Sequence, residues 1–191
     1  MIIRTAAALL SVLAASPAMA HTGMGAYHGF AAGALHPLLG LDHLLAMGAV
    51  GLWAGLVGGR ARVVWPASFV AVMVLGSLVG INGHSLPGAE VALAFSVLFL
   101  GTAVLVRASA AVAVGAAICA AFATVHGYVH GAELPAGSDP AGYVAGLAVS
   151  TTLLHGVGLG LATAFVKAES PALARFTGGA VAAAGFVFLL S

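Results

Sequence analysis

The sequence predicts an all-α, polytopic membrane protein: a bundle of about six transmembrane helices that follows a cleaved signal peptide. Of its 191 residues, 62% are hydrophobic and only 6% are charged, a composition that excludes an ordinary soluble domain. Apolar runs of roughly 20 residues recur along the chain, and an α-helix needs about that length to cross a bilayer. The formal net charge of +1 gives no indication of a nucleic-acid partner. The apolar composition predicts that the lipid bilayer surrounds the chain.

Residues 1–20 have the organisation of a secretory signal peptide. Arg4 supplies the positive charge, residues 6–15 form a short apolar run, and residues 17–20 (Pro-Ala-Met-Ala) have the small-residue pattern of a cleavage site. The alternative is an uncleaved first helix, but the apolar run is too short to span and ends in small residues. Cleavage would leave residues 21–191 as a single transmembrane domain with its N-terminus on the exported side.

The mature region divides into six apolar segments. The predicted helices lie near 37–58, 63–82, 90–106, 109–130, 141–166 and 172–190. Residues 21–35 are too short to cross alone, and either extend the first helix or lie at the membrane interface. Glycine and alanine are abundant in the predicted helices, which predicts close backbone contacts within a compact bundle.

Positive charge predicts the orientation. After the signal peptide, every lysine and arginine falls on one side of the predicted bundle: Arg60, Arg62, Arg107, Lys167 and Arg175. Basic loops remain in the cytoplasm, so the opposite loops, which carry no lysine or arginine, face the periplasm. The signal peptide independently places the N-terminus outside. Six helices would then leave both termini in the periplasm. The predicted location of the protein is the inner membrane of a bacterium.

Three residues with metal-ligand side chains lie near the start of the first predicted helix. His36 and His43 are seven residues apart, so a continuous helix would place them about 20° apart on one face. Asp42 would point about 100° away from His43, either as a ligand reached from the side or as a group that orients an imidazole ring. The alternative is a polar helix start, with Asp42 bonding the first-turn amides. Because an aspartate at the centre of a membrane helix costs about 2.5–3.5 kcal/mol, a functional role is favoured.

A second group of ligand-type side chains lies at the end of the fourth predicted helix. His126 and His130 are four residues apart and share a helix face, and Glu133 follows three residues later on the same side. The three side chains could therefore converge on one ion. The alternative is a polar cap at the membrane interface. The predicted topology places this group and the first one in the same outer half of the membrane.

The remaining histidines are weaker candidates. His155 lies mid-way along the fifth predicted helix, where it is either a deeper ligand or a structural histidine bonded to a hydroxyl or a carbonyl group. His21, His28 and His84 lie on the outer side, and could collect metal there or simply be solvated.

The donor set indicates the class of metal. Imidazole with carboxylate suits divalent Zn, Cu, Fe or Ni, whereas the lack of a cysteine cluster argues against a Cu(I) site. Cys119 is the only cysteine, and Met24, Met47 and Met73 are too dispersed in the sequence to predict a thioether track. We expect the chain to handle a divalent metal ion inside the membrane, and to hold no permanently bound cofactor.

Two segments resemble the signatures of a known family. His36-Pro37-x-x-Gly40-x-Asp42-His43 is similar to the first-helix signature of the HupE/UreJ family, and the segment 126–133 (HGYVHGAE) resembles its second signature. The resemblance extends to the signal peptide, the six helices and the total length. Val125 departs from the pattern, because an aromatic residue is expected before the histidine; this difference should affect packing more than ligation.

The resemblance implies a secondary permease for nickel or, in some members, cobalt, with a functional link to the maturation of hydrogenase or urease. It also implies six functional positions: His36, Asp42, His43, His126, His130 and Glu133. Because the sequence contains no nucleotide-binding motif, facilitated diffusion and proton coupling both stay open. The oligomeric state and the metalloenzyme supplied are also open.

Three other functions fit the residues less well, and we expect the protein not to be an enzyme. An intramembrane zinc hydrolase could use Asp42 or Glu133 as a general base, but no H-E-x-x-H motif occurs. A haem-binding electron carrier could use paired histidines from two helices. An intramembrane serine protease is disfavoured because no G-x-S-x-G element is present.

Overall fold

The computed structural model describes residues 28–191, so the predicted signal peptide and His21 lie outside the described residues. This part of the chain forms seven α-helices and contains no strand, which confirms the all-α class. The helices are α1 (Gly29–Leu39), α2 (Leu41–Val57), α3 (Ala61–Ile81), α4 (Ala89–Leu105), α5 (Val112–Ala132), α6 (Pro140–Lys167) and α7 (Pro171–Leu190).

The length and composition of these helices are those of an integral membrane protein. Helices α3, α5, α6 and α7 are each long and apolar enough to cross a membrane. Helices α1 and α2 meet the same criterion together, as one span that is bent by 82°. Helix α4 is apolar but has only 17 residues, so the described residues provide up to five spans by this measure rather than the predicted six.

The first span is broken at Gly40, and the expectation of one continuous helix over residues 37–58 is therefore wrong. The helix begins earlier, at Gly29, and the backbone of Gly40 is extended, with φ −85° and ψ 113°. Pro37 weakens the end of α1 because it lacks an amide hydrogen. Glycine at the break leaves room for the histidine ring, since a Cβ atom there would lie 2.8 Å from Nδ1 of His43 and the ring would have to shift. His36 and His43 therefore lie on two helices, not on one face of a single helix.

Helices α3 and α5 pack through glycines that are spaced four residues apart. Gly76 and Gly80 on α3 face Gly127 and Gly131 on α5. A Cβ atom on Gly80 would collide with the carbonyl oxygen of Tyr128, so the two backbones are in direct contact. Such contacts are the usual basis of close helix association in lipid. They fix the height of the second histidine group relative to α3.

Helix α6 supports both halves of the broken span. Gly33 of α1 lies against the carbonyl oxygen of Tyr143, near the start of α6. Gly51 of α2 lies against the carbonyl oxygen of His155, about three turns further along α6. A side chain at either glycine would collide with the α6 backbone. Because both halves pack against α6, this helix holds the bend at Gly40 in place.

The ends of the bundle differ in charge and packing. The loops at 58–60, 106–111 and 168–170 form what we call the basic end, because the structure gathers the five lysine and arginine residues there. The indole rings of Trp53 and Trp65 pack 4.5 Å apart at this end. Their N–H groups donate to the carbonyl oxygens of Ala108 and Val112, each at 2.8 Å. The opposite end is formed by the loops at 82–88 and 133–139.

The glycine contacts predict a matched pair of effects on stability. Gly80→Ala should destabilise the fold by about 1–3 kcal/mol, because the added methyl group has no room against α5. Gly156→Ala should leave stability unchanged or raise it by up to about 1 kcal/mol, since its Cβ position is open and alanine favours helix. Thermal unfolding in detergent measures both. Equal losses in the two variants would contradict close packing at Gly80.

Candidate metal centre

Three histidines meet inside the bundle. One ring nitrogen from each of His43, His126 and His130 lies within 4.8 Å of the other two, and all three side chains are buried. The ring centroid of His43 lies 4.3 Å from that of His130 and 5.2 Å from that of His126. We call these residues the histidine triad. Helix α2 supplies one member and helix α5 supplies two.

Local sequence explains how α5 presents its two histidines. His126 and His130 are one helical turn apart, which places them on the same face. Gly127 and Gly131, the residues that follow them, lie against the carbonyl oxygens of Met73 and Ser77 on α3. The glycines therefore bring α3 close beside α5, while the neighbouring histidine face is turned towards α2.

Asp42 holds the third histidine in position. Its Oδ1 accepts a hydrogen bond from the backbone N–H of His43 at 2.9 Å and lies 2.8 Å from Nδ1 of the same residue. A carboxylate can only accept, so Nδ1 carries the proton and Nε2 carries the lone pair. Within the described part of the chain, that Nε2 atom is buried without a hydrogen-bond partner. Of the two roles considered for Asp42, the geometry favours that of orienting the ring.

Ser96 of α4 fixes His126 in the same manner. Its hydroxyl lies 2.7 Å from the carbonyl oxygen of Leu93 and 2.9 Å from Nε2 of His126, so it holds the ring through that nitrogen. Nδ1 of His126 is buried and has no hydrogen-bond partner in residues 28–191. The role of Ser96 could not be predicted from the sequence, where its one signal is a serine within an apolar segment.

His36 and Glu133 form a pair beside the triad. Nε2 of His36 lies 2.8 Å from Oε2 of Glu133, and the ring centroid of His36 lies 4.9 Å from that of His130. Glu133 follows the last residue of α5 as its C-cap. The ligand atoms that lie within 4.8 Å of one another come from His43, His126 and His130, and Glu133 contacts His36 beside them. The convergence of Glu133 with His126 and His130 on one ion stays a prediction.

His155 lies deeper in the bundle and outside the triad. Its ring packs edge-on against Phe69, with centroids 5.2 Å apart, and Phe69 lies 5.6 Å from the ring of His126. Both ring nitrogens of His155 are buried and have no hydrogen-bond partner among the described residues. The alternative of a structural histidine bonded to a hydroxyl or carbonyl group is thus not what the structure shows.

The outer histidines are apart from these groups. His28 precedes α1, and His84 lies in the loop between α3 and α4; both are exposed. Neither belongs to the triad, so any role in collecting metal would be exercised at the surface of the protein.

The triad is suited to a divalent transition metal. Three buried imidazoles with ring nitrogens this close together are typical ligands of Zn, Cu, Fe or Ni. Three protein ligands leave a fourth position for water or another group, as in zinc sites that exchange a ligand. Asp42 and Glu133 each contact a histidine and place negative charge beside the site. The arrangement therefore offers a cation three buried imidazoles with two partly buried carboxylates beside them.

Comparison with known proteins gives a consistent result. The HupE / UreJ protein family matches residues 8–188 of the chain. A relative named Protein HupE, from Rhizobium leguminosarum bv. viciae, is 44% identical over 177 residues, which cover 92% of this chain and 93% of the relative. No solved structure gives a significant match.

The contact between Ser96 and His126 predicts a change in metal affinity. Ser96→Ala should weaken the binding of Ni²⁺ or Co²⁺ to the purified protein by about 10–100-fold, because the ring loses the group that fixes its orientation. Ser68→Ala is the matched control, since its hydroxyl bonds only backbone carbonyls, those of Trp65 and Ala116. Equilibrium dialysis measures both. Wild-type affinity in Ser96→Ala would show that the serine does not support the site.

Proposed function

Because the chain belongs to the HupE/UreJ family, we propose that it is a secondary permease that carries a divalent transition metal, nickel in the first place, from the periplasm to the cytoplasm. The observation that carries the proposal is the histidine triad. Three buried imidazoles, each with a ring nitrogen lacking a hydrogen-bond partner in the described residues, lie between membrane-spanning helices.

Transport is favoured by the polar groups on both sides of the triad. His36 and Glu133 lie beside it at its outer edge, and His155 lies beyond Phe69 towards the basic end. An ion that entered from the outer side would thus meet imidazole or carboxylate groups at successive depths. A site that served only to retain metal would not need such groups along the bundle.

Charge balance supports a divalent substrate. Asp42 and Glu133 together supply two negative charges near the triad, which matches the charge of one M²⁺ ion. A charge inside a membrane protein is costly unless an opposite charge lies close to it. The site must also release its ion, and ligation by neutral imidazoles and water is weaker than by a cage of anionic ligands.

Nickel, cobalt and zinc are all compatible with this donor set, and we propose nickel because of the family. The name of the relative, Protein HupE, supports a link to the maturation of a nickel enzyme such as hydrogenase or urease. No nucleotide-binding motif occurs in the sequence, which supports facilitated diffusion or proton coupling as the driving process.

One other function is favoured by a specific observation. Three histidines with an open fourth position also resemble a catalytic zinc site. Both nearby carboxylates, however, contact histidines: Asp42 contacts His43, and Glu133 contacts His36. Neither carboxylate is therefore placed as a general base. Hydrolytic activity that depends on a retained zinc ion would support this alternative over transport.

The orientation can be tested separately. We propose that the basic end faces the cytoplasm and that both termini face the periplasm, because cytoplasmic loops are enriched in lysine and arginine and because the short helix α4, which joins loops at opposite ends of the bundle, adds a sixth crossing. A reporter enzyme that is active only in the periplasm should therefore be active when fused after Ser191. The same reporter inserted at the loop 106–111 should be inactive, and the reverse pattern would contradict the orientation.

Removal of the triad predicts loss of transport. In proteoliposomes loaded with a metal-sensitive dye, His43→Ala and Asp42→Ala should reduce Ni²⁺ uptake at least tenfold, because the first lacks a ligand and the second releases the ring that provides it. Each assay compares Ni²⁺, Co²⁺ and Zn²⁺, with and without a pH gradient.

The matched control for these variants is His84→Ala, which removes an exposed histidine outside the triad. It should retain the maximal uptake rate, with at most a higher half-saturating metal concentration. Normal nickel uptake by a folded His43→Ala protein would exclude the proposed role of the triad.

A further inference from the structure

Two methionine sulfurs meet at one hydroxyl in the centre of the bundle. Oγ1 of Thr151 lies 3.2 Å from Sδ of Met47 and 3.4 Å from Sδ of Met73, and all three side chains are fully buried. The residues come from α2, α3 and α6, and they are 26 to 104 positions apart in the sequence. The expectation that the methionines are too dispersed to lie together is therefore wrong for this pair.

These sulfurs lie directly inward of the triad. Met47 is four residues after His43 on α2, so it shares the same helix face, about 6 Å nearer the basic end. The backbone carbonyl of Met73 lies against Gly127, the residue that follows His126, so Met73 is level with that part of α5. The thioether pair is therefore the next layer that an ion would reach on leaving the triad towards the basic end.

His155 lies one turn beyond Thr151 on the same face of α6. Helical side chains lean towards the N-terminus of their helix, so the ring of His155 leans back towards Thr151. For the same reason Met73 leans towards Phe69, which packs on that ring. His155 is 2% exposed, and neither ring nitrogen has a hydrogen-bond partner in the described residues.

We propose that Met47, Met73, Thr151 and His155 form a second metal-binding site, which receives the ion from the triad. This proposal rests on the transport function proposed above and adds the path beyond the triad. Its donors are two thioethers, a hydroxyl and one imidazole, all of them neutral. Such a set is softer than the triad and holds a borderline divalent ion less tightly. Two sites of unequal strength allow the ion to leave the first without being trapped in the second.

The full-length protein tests this directly. Purified protein in detergent is loaded with two equivalents of Co²⁺ or Ni²⁺ and studied by X-ray absorption spectroscopy. We expect two ions per chain and a sulfur contribution to the metal scattering. In His130→Ala, which weakens the triad, the remaining ion should show a larger sulfur share. One ion per chain with no sulfur contribution would overturn the proposal, and this measurement on the unaltered protein does not depend on any variant folding.

Substitutions then test the role of the site in transport. Met47→Leu/Met73→Leu keeps the side-chain volume, so the fold should survive. We expect the sulfur signal to disappear, one ion to stay bound, and Ni²⁺ uptake to fall at least tenfold. Thr151→Val should lower uptake, whereas Thr152→Val is the control, because that hydroxyl is exposed and bonds Ala148 of its own helix.

The results separate this proposal from the preceding one. If His43→Ala abolishes uptake while the double leucine variant transports normally, the transport function stands and the second site is refuted. If the sulfur signal is present but no variant changes uptake, the second site exists and the transport function fails.

Discussion

The absence of bulk water within the bilayer is the constraint on which this structure depends. Every buried polar group must find its partner in the protein or in a ligand. Several polar side chains meet this requirement: Ser96 and Thr151 bond to other side chains, and the indoles of Trp53 and Trp65 bond to backbone carbonyls. The imidazoles do not. Each member of the triad keeps at least one nitrogen unpaired within residues 28–191, which is the condition in which a metal ion can supply the partner.

The rest of the fold positions the triad histidines, each of which keeps a ring nitrogen without a partner in the described residues. Close packing through glycine fixes the height of each helix against its neighbours, because a backbone contact allows little sliding. The bend at Gly40 then sends His36 and His43 to different helices, so that one lies beside the triad and the other within it. Asp42 and Ser96 each contact one ring nitrogen of a triad histidine and leave the other nitrogen without a hydrogen-bond partner in the described residues. Scaffold and site are thus determined by different residues.

Features that depend on residues close to one another in the sequence could be predicted from it. Composition indicated the apolar helices, and the four-residue spacing of His126 and His130 placed them on one face. The break at Gly40 could not be predicted, because glycine also occurs within unbroken helices of this chain, such as Gly156 in α6. Contacts between distant residues were equally inaccessible: the sulfurs of Met47 and Met73 meet only because α2, α3 and α6 pack in one particular register.

The indole pair at the basic end has a consequence for kinetics. Trp53 and Trp65 are 2% and 0% exposed, their rings lie 4.5 Å apart at an interplanar angle of 48°, and their N–H groups bond to Ala108 and Val112, so the two indoles fill the interior at the basic end. Under the proposed transport function, an ion would leave at the basic end only after the two rings separate and their hydrogen bonds break. Turnover would then be governed by how often the protein opens, as in a carrier, and not by the rate at which ions diffuse through a continuous pore.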